Sequence, residues 1–302
     1  QGSQSVGMMA AYGETAVVRD TLAEANDALG FDLAAMIAGG PSEALNQTVN
    51  TQPAMLAAGV AVYRLWQSQG GTAPVLMAGH SLGEYTALTC AGAFEFDAAL
   101  KLVRLRAEAM QSAVPEGVGA MAAVLGLDDD RLRAVCAEAA QGEVLEAVNF
   151  NAPGQVVIAG HKSAVERGCA LAKEKGAKRA LPLPVSVPSH CALMRPAAER
   201  LLEAMASIEI KKPAIPVIHN ADVATHADPA AIREALARQL YSPVRWVESM
   251  RTFAAMGVTR IAECGPGKVL AGLNKRILDD VPTVALADAA SIVELHDAAK
   301  NA

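Results

Sequence analysis

The amino-acid sequence predicts an α/β fold in which a large domain with a parallel sheet is interrupted by a small β-α-β-β-α-β domain. Helical and strand patterns alternate along most of the 302 residues, as is typical of α/β proteins. An apolar run leads through a glycine-bracketed turn into a helical pattern at 74–88. Residues 114–193 form shorter units than the flanking segments. We therefore expect a discontinuous large domain at 1–113 and 194–302, and a small domain at 114–193.

The segment before the glycine-bracketed turn is predicted to be mainly helical. Helical periodicity covers residues 15–29 and 53–67. A strand is expected at 74–78, and a helix follows the turn from Glu84. Another helix is expected at 97–112. It begins with Asp97, an acidic residue of the kind favoured at a helix N-terminus.

A boundary is predicted at 114–117, where proline and glycine occur together. After it the patterns indicate strand 119–125, helix 128–140, strand 144–150, turn 151–154, strand 155–159, helix 163–175 and strand 178–183. This order is the split arrangement of a ferredoxin-like domain. The last segment returns to longer units: a helix at 193–207, strand 216–219, helices 229–240 and 244–256, strand 258–263 and helix 268–278. The cleft between two such domains is a favoured ligand site.

The composition is that of a globular protein and excludes several functional classes. The net charge of −6 argues against general nucleic-acid binding. No two of the five cysteines have the C-x-x-C spacing of a zinc knuckle or redox pair, so reduced thiols in the cytoplasm are expected. No apolar run has transmembrane length, and no signal-peptide pattern is present. Because Gln1 is not a methionine, we expect residues to precede it.

The pentapeptide Gly79-His80-Ser81-Leu82-Gly83 has the pattern G-x-S-x-G between a predicted strand and a predicted helix. In this context the glycines allow a tight turn, and the serine hydroxyl projects at the helix N-terminus, where an oxyanion can be stabilised. The pattern therefore indicates a nucleophilic serine. An ordinary glycine-bracketed turn with a serine N-cap has the same pattern.

A nucleophilic serine needs a base, and the chain has six histidines. His80 is adjacent to Ser81, and neighbouring side chains on a tight turn point apart. His161, His226 and His296 lie after a strand, in a polar loop and near the end of the chain. His190 lies where the small domain returns to the large one, and so it is placed at the domain cleft. The residues alone favour His190 modestly.

A serine hydrolase of the α/β-hydrolase type is an alternative. Such enzymes carry an acid between the serine and the histidine in chain order. Asp222 followed by His226 or His296 satisfies this order. The β-α-β-β-α-β insertion argues against this class, because it is not the usual lid.

Several fragments together give a more specific indication. They occur in one order along the chain: QGSQ (1–4), GHSLGE (79–84), Arg106 in RAEAM, NFNAPGQ (149–155), PSH (188–190), QLY (239–241) and ECGPG (263–267). With these fragments the chain resembles the malonyl-CoA:acyl carrier protein transacylases of bacterial type II fatty acid synthesis, over residues 1 to about 278. The family has a large α/β-hydrolase-like domain interrupted by a ferredoxin-like one.

The resemblance implies a catalytic dyad without a carboxylate. Ser81 matches the nucleophile and His190 its base, and the base is oriented by the main-chain carbonyl of Gln239. The backbone N–H groups of Leu82 and Gln1 match the oxyanion hole. A neutral acceptor fixes the imidazole tautomer without adding a charge.

The resemblance also implies substrate contacts. Arg106 matches the residue that binds the free malonyl carboxylate, for which a guanidinium offers two parallel donors. Without the resemblance, a lone helical arginine would be read as facing solvent. Met110 and Asn151 match positions near the pocket, and they could equally be core and turn residues. Cys264 replaces an expected small apolar residue, and residues expected before Gln1 include an apolar strand and Pro-Gly.

The implied activity is ping-pong malonyl transfer from malonyl-CoA to the phosphopantetheine thiol of acyl carrier protein, through a malonyl-serine. No resident cofactor or metal is expected, since phosphopantetheine arrives on the partner. A cytoplasmic monomer that binds neither nucleic acid nor membrane is expected.

The acidic carrier would favour a basic surface, for which four side chains are candidates: Lys173, Lys175, Lys178 and Arg179. A solvated helix end would look the same. A hydrolase, an inactive interaction subunit and a role in polyketide synthesis remain alternatives, and the preference for malonyl over acetyl or methylmalonyl is open.

Overall fold

The computed structural model describes residues 1–185 and 187–300. Ser186 and the last two residues of the chain, which belong to the predicted ranges 114–193 and 194–302, lie outside the described residues. The helices are α1 (Ala16–Leu29), α2 (Leu33–Gly39), α3 (Ser42–Leu45), α4 (Thr48–Ser68), α5 (Gly83–Cys90), α6 (Phe96–Ser112), α7 (Asp129–Ala140), α8 (Lys162–Glu174), α9 (Arg195–Met205), α10 (Pro229–Gln239), α11 (Trp246–Ala255), α12 (Val269–Ile277) and α13 (Ala289–Lys300). The strands are β1 (Met77–Ala78), β2 (Gly119–Leu125), β3 (Leu145–Ala152), β4 (Gln155–His161), β5 (Arg179–Pro182), β6 (Val217–Ile218), β7 (Ile261–Cys264) and β8 (Thr283–Leu286).

Residues 119–182 fold as β2-α7-β3-β4-α8-β5. Their strands form one antiparallel sheet in the order β3-β4-β2-β5. Successive side chains of a strand point to opposite faces, and both faces of this sheet are covered. On one face Ala122 and Val124 pack with α7 and α8, while on the other Met121 and Val157 pack with Cys191. The sheet is therefore held between its own helices and the chain segment that follows it.

The strands of the remaining segments form short parallel pairs. β1 pairs with β6, and β7 pairs with β8. The strand expected at 74–78 begins only at Met77, because its partner β6 offers just two paired residues, and Val75 is 77% exposed. Likewise the strands expected at 216–219 and 258–263 are β6 and β7. The parallel character agrees with the expectation, although each paired segment is shorter.

Helix α4 is the centre of the main hydrophobic core. Fourteen of its residues are buried, including Leu56, Val60 and Trp66. Gly59 allows the close approach of α5, since a Cβ at this position would lie 2.6 Å from Cγ2 of Thr86. The α1 and α6 helices pack beside α4. Within the described residues no helix has the length and apolar character needed to cross a membrane.

Strand β3 also connects the antiparallel sheet to the rest of the molecule. The N–H of Val244 donates to the Val148 carbonyl over 2.8 Å, and the N–H of Phe150 donates to the Val244 carbonyl over 3.0 Å. These bonds form a parallel bridge between Asn149 and Val244. Asn151 is thereby held close to the end of β1 and its turn, as described below.

Candidate active site

Ser81 lies at a strained turn between β1 and α5. Its φ is +52°, a left-handed conformation that non-glycine residues rarely adopt. Gly79 makes this turn possible, because a Cβ there would lie only 1.9 Å from the carbonyl carbon of Gly83. The N–H of Ser81 donates to Oδ1 of Asn220 over 2.8 Å, and its carbonyl accepts from Nε2 of Gln239 over 2.9 Å. Both main-chain polar groups of Ser81 are therefore held by buried amide side chains.

The structure brings His190 to Ser81. Nε2 of His190 lies 2.8 Å from Oγ of Ser81, and Nδ1 lies 2.8 Å from the main-chain carbonyl of Gln239. A carbonyl can only accept, so Nδ1 carries the proton and Nε2 accepts the serine O–H. His190 also has a positive φ of 64°, and its N–H donates to the carbonyl of Leu240. The end of α10 thus fixes the histidine ring in the tautomer a base requires.

His190 is held in its neutral form. It is 2% exposed, and burial together with the positive charge of Arg106 lowers its pKa to about 3. The hydrogen bond to Gln239 acts in the opposite direction, but its effect is smaller. The imidazole is therefore free to accept the proton of Ser81 at any pH near neutrality.

Arg106 is completely buried beside this pair. Its Nη2 donates to Oγ of Ser81 over 3.2 Å and to Oε1 of Gln239 over 3.0 Å, while Nη1 donates to Oε1 of Gln52 over 2.8 Å. Nε has no partner among the described residues, and the guanidinium lies 5.3 Å from the centre of the Tyr85 ring. Burial lowers the pKa of Arg106, but a guanidinium remains protonated. Its charge is directed at the serine oxygen, where negative charge would develop.

Gln1 and Met110 reach the site through Gln52. Nε2 of Gln52 donates to Oγ1 of Thr48 over 3.1 Å and lies 3.6 Å from the sulfur of Met110. The side chain of Gln1 donates to the same Thr48 oxygen over 2.9 Å. Met110 is buried and therefore packs behind the Arg106 cluster.

Leu82 belongs to the strand-to-helix turn at 79–83, called the elbow below, and Asn151 contacts this turn. Leu82 is the N-cap of α5, and no acceptor within the described residues takes its backbone N–H. Asn151 accepts from Nε2 of His80 over 2.7 Å, and the His80 ring lies 5.6 Å from the Trp246 ring. Burial lowers the pKa of His80 to about 4, so its ring is neutral. Asn151 thus contacts the elbow through His80, which points away from Ser81.

Four residues of the site, Gln52, Glu84, His219 and Asn220, were not among the predicted site residues. The Glu84 carboxylate accepts from Nδ1 of His219 over 2.6 Å, from the N–H of Asn220 over 2.8 Å and from Nε2 of Gln239 over 2.9 Å. All four residues are fully buried. A signal was present in the sequence, because the strand predicted at 216–219 ends at His219 and is followed by Asn220, and the ends of parallel strands meet at one edge of a sheet.

The other histidines lie apart from Ser81. His226 donates to Asp222, which also accepts from Arg238, and this group packs beside His219. His161 accepts from the N–H of Val144, and His296 packs against Trp66. The acid expected of a hydrolase is therefore not the partner of the serine's base, since a main-chain carbonyl occupies Nδ1 of His190.

The four basic candidates surround the junction of α8 and β5 and are exposed. The ammonium of Lys175 lies 3.6 Å from a carboxylate oxygen of Glu138, and Lys173 is in the last turn of α8. Lys178 and Arg179 lead into β5, an edge strand of the antiparallel sheet.

Fold and geometry define an α/β protein in which one serine hydroxyl is hydrogen-bonded to a neutral histidine and to a buried guanidinium. This arrangement is suited to acyl transfer through an ester on the serine. Residues 1–295 match the acyl transferase domain family, and the chain belongs to that family. The malonyl CoA-acyl carrier protein transacylase of Escherichia coli K12 is 58% identical over 287 residues, covering 95% of this chain and 93% of that protein. The Bacillus subtilis protein of the same name is 45% identical, covering 97% and 92%.

Solved structures give the same relationship. An acyl-carrier-protein S-malonyltransferase from Burkholderia pseudomallei 1710b is 60% identical, with a TM-score of 0.97 and coverage of 98% of this chain and 97% of that chain. A malonyl transacylase in complex with the acyl carrier protein of a type II polyketide synthase is 53% identical, with a TM-score of 0.97 and coverage of 99% and 97%. The α/β fold is therefore shared with these enzymes over nearly the whole chain.

Proposed function

We propose that this chain transfers a malonyl group from malonyl-CoA to the phosphopantetheine thiol of acyl carrier protein and so supplies fatty acid elongation. The proposal rests mainly on the two hydrogen bonds of Ser81 Oγ, one with Nε2 of His190 and one with Nη2 of Arg106. The 58% identity to the Escherichia coli transacylase supports the choice of substrates.

In the first half-reaction Ser81 Oγ attacks the thioester carbonyl of malonyl-CoA while Nε2 of His190 takes its proton. The carbon–oxygen bond forms, the carbon–sulfur bond breaks, and the thiolate of coenzyme A leaves with the proton from His190. A malonyl ester on Ser81 remains. The carbonyl of Gln239 keeps the ring oriented during both proton transfers and stabilises the imidazolium without adding a full negative charge.

The oxyanion of each tetrahedral intermediate is assigned to the backbone N–H groups of Leu82 and Gln1. For Leu82 this is supported by its place at the N-terminus of α5, where the helix dipole favours negative charge. For Gln1 the support is its link to Gln52 through Thr48.

Arg106 is assigned to the free carboxylate of the malonyl group. An ester on Ser81 would bring that carboxylate next to the guanidinium, which already contacts Oγ and has an unused Nε–H. A bidentate carboxylate is the ligand that suits this geometry. Met110 and Asn151 are assigned to the wall of the pocket, one behind Arg106 and Gln52 and the other against His80.

In the second half-reaction the phosphopantetheine thiol attacks the ester, with His190 again as the base. Ser81 regains its proton as the malonyl thioester on the carrier is released. The proposed reaction involves no resident cofactor or metal. Exclusion of water at the ester stage separates this activity from that of a thioesterase.

The proposal includes a domain assignment and a location. Residues 114–193 are assigned to a ferredoxin-like domain, supported by the strand order β3-β4-β2-β5, and residues 1–113 with 194–302 to an α/β-hydrolase-like domain. A cytoplasmic monomer is proposed, and five free thiols suit a reducing compartment. Malonyl transfer to the carrier protein of a polyketide synthase is the second candidate function. It is favoured by the similarity to the malonyl transacylase solved with the acyl carrier protein of a type II polyketide synthase.

Intact-protein mass spectrometry after brief incubation with malonyl-CoA tests the proposal. The expected result is a malonyl adduct on the parent chain, absent in Ser81→Ala and much reduced in Arg106→Ala, that acyl carrier protein discharges. With acetyl-CoA, which has no free carboxylate, Arg106→Ala should reduce the amount of acyl adduct less than it does with malonyl-CoA. Steady release of coenzyme A without an adduct or acceptor would instead identify a hydrolase.

The surface formed by Lys173, Lys175, Lys178 and Arg179 is proposed to bind the acidic carrier protein, supported by its exposure. Changing all four residues to glutamate should raise the KM for carrier protein several-fold and leave the KM for malonyl-CoA unchanged. Substituting Arg19, Lys101 and Arg104, which are basic residues on α1 and α6, provides the control. An unchanged KM for the carrier would exclude this surface.

A further inference from the structure

Glu84 connects three segments of the chain beneath the active site. It lies in the first turn of α5 and is fully buried. Its carboxylate binds His219 and Asn220, which follow β6, and Gln239, which ends α10. A buried carboxylate persists only when its oxygens are satisfied, and here three donors meet it.

The partners of Glu84 are the groups that hold the serine. Asn220 accepts the N–H of Ser81 and donates from Nδ2 to the Gly79 carbonyl over 2.7 Å. Gln239 donates to the carbonyl of Ser81 from Nε2, the same atom that donates to Glu84. The elbow is thus fixed on both sides of the strained residue by the side chains of two residues that also donate to Glu84, Asn220 through its main-chain N–H and Gln239 through Nε2.

Gln239 also holds the base and Arg106. Its main-chain carbonyl accepts Nδ1–H of His190, and its Oε1 accepts from Arg106. Ser81 and His190 both have left-handed backbone, with φ of 52° and 64°. Strained conformations of this kind persist when the surroundings over-determine them. The Glu84 cluster supplies such surroundings to both members of the dyad.

Glu84 is the main charged neighbour of His219. Burial acts to lower the pKa of His219, but the Glu84 carboxylate, assisted by Asp222, raises it overall. Nδ1 donates to Glu84, and Nε2 has no partner among the described residues. His219 therefore serves Glu84 alone within the site, and its position away from Ser81 excludes it as a second base.

We propose that Glu84 is a positioning residue for acyl transfer, which aligns Ser81 with His190 through Asn220 and Gln239 and is itself held by His219. The proposal rests on the proposed function only in taking Ser81 as the nucleophile. Loss of this alignment should slow the attack of Ser81 more than it weakens substrate binding, because Glu84 reaches Arg106 only through Gln239, and Arg106 is also held by Gln52.

The test compares Glu84→Ala, Glu84→Asp and Glu84→Gln in single-turnover acylation by malonyl-CoA. Glu84→Ala and Glu84→Asp should lower the maximal rate by about 10²-fold, the cost of a misplacement of about 1 Å, with a smaller change in the half-saturating concentration. Glu84→Gln should retain most of the rate. Its amide oxygen can accept from Asn220 and Gln239, and its NH₂ can donate to Nδ1 of a neutral His219.

Phenylmethanesulfonyl fluoride provides a second readout that needs the dyad but not malonyl recognition. Ser81 Oγ bonds to sulfur as fluoride leaves, and the proton passes to His190. The Glu84 variants should rank in the same order of rate with this reagent as they do with malonyl-CoA. Modification of wild-type Ser81 by this reagent with no adduct from malonyl-CoA would reject the proposed function and leave the positioning role open to test.

Thr21→Ala is the matched control, since Thr21 is also buried and hydrogen-bonded but lies on α1. Thr21→Ala should lower the Tm without changing the rate of acylation by malonyl-CoA or the rate of modification by phenylmethanesulfonyl fluoride. The positioning role is overturned if folded Glu84→Asp acylates within threefold of wild type, if the loss is confined to substrate affinity, or if Glu84→Gln is as slow as Glu84→Ala. Glu84→Asp keeps the test available if Glu84→Ala does not fold.

Discussion

Two buried histidines of this protein have different charged neighbours, and these neighbours shift the pKa of the two rings in opposite directions. His190 donates Nδ1–H to the main-chain carbonyl of Gln239, and its pKa is lowered to about 3 by burial and by Arg106. His219 donates Nδ1–H to the carboxylate of Glu84, and its pKa is raised although it too is buried. Burial alone favours the neutral ring, and a carboxylate reverses this preference.

The difference explains how a base can be oriented without being charged. A carbonyl fixes the tautomer of His190 as well as a carboxylate would, yet it leaves Nε2 free to accept a proton from Ser81. The Glu84 carboxylate contacts His219 and not His190, so the pKa that it raises is that of His219. In the mechanism proposed above, His190 accepts the proton of Ser81, and His219 holds the carboxylate that positions the elbow.

The largest expected effect concerns the pH dependence of Ser81 acylation. A histidine with the ordinary pKa of about 6.5 would be only about 3% neutral at pH 5. Because the pKa of His190 is about 3, the single-turnover rate at pH 5 should lie within about twofold of the rate at pH 7.5. Quenched-flow mass spectrometry at the two pH values measures it, with circular dichroism confirming that the protein is folded.

A thirtyfold fall between pH 7.5 and pH 5 would contradict this account of His190. Arg106→Gln sharpens the test. Removing the positive charge should raise the pKa of His190, and the rate of Ser81 modification should then fall more steeply as the pH is lowered. Phenylmethanesulfonyl fluoride is the appropriate reagent for this variant, since its reaction does not require a carboxylate contact with Arg106.

The sequence predicted the elements whose signals are local. The elbow could be read from Gly79, where a Cβ would collide with the backbone of Gly83. The expectation that Gly83 must also be small was wrong, since a Cβ at Gly83 would meet nothing within 4 Å. The order of β2, α7, β3, β4, α8 and β5 followed from short, clearly bounded patterns. The parallel strands were predicted too long, since β1 and β6 pair over two residues only. Strand β8 and helix α13 were not predicted at all.

The candidate site was harder to derive because its contacts join distant residues. Ser81 and His190 are 109 residues apart, and His190 was favoured for its place at a domain junction and then by resemblance. Glu84 and His219 are 135 residues apart, and nothing local to either indicates the pair. The environment of Arg106 depends on tertiary burial, so a lone arginine on a helix looked like a surface residue.

The smallest expected effect is on stability, where the two histidines should act with opposite signs. Neutral His190 opposes protonation in the folded state, so the unfolded chain binds more protons below pH 6.5 and stability falls there. His190→Gln should therefore lose less stability than wild type between pH 7.5 and pH 5, by up to about 2 kcal/mol at about 1.4 kcal/mol per pH unit.

His219 has a raised pKa, so its contribution is present below pH 6.5 and lost as pH rises through its folded pKa. His219→Gln should accordingly cost more at pH 5 than at pH 8, as urea unfolding of the two variants will measure. Equal pH slopes for the two variants would show that the surroundings of His190 and His219 do not shift their pKa values in opposite directions.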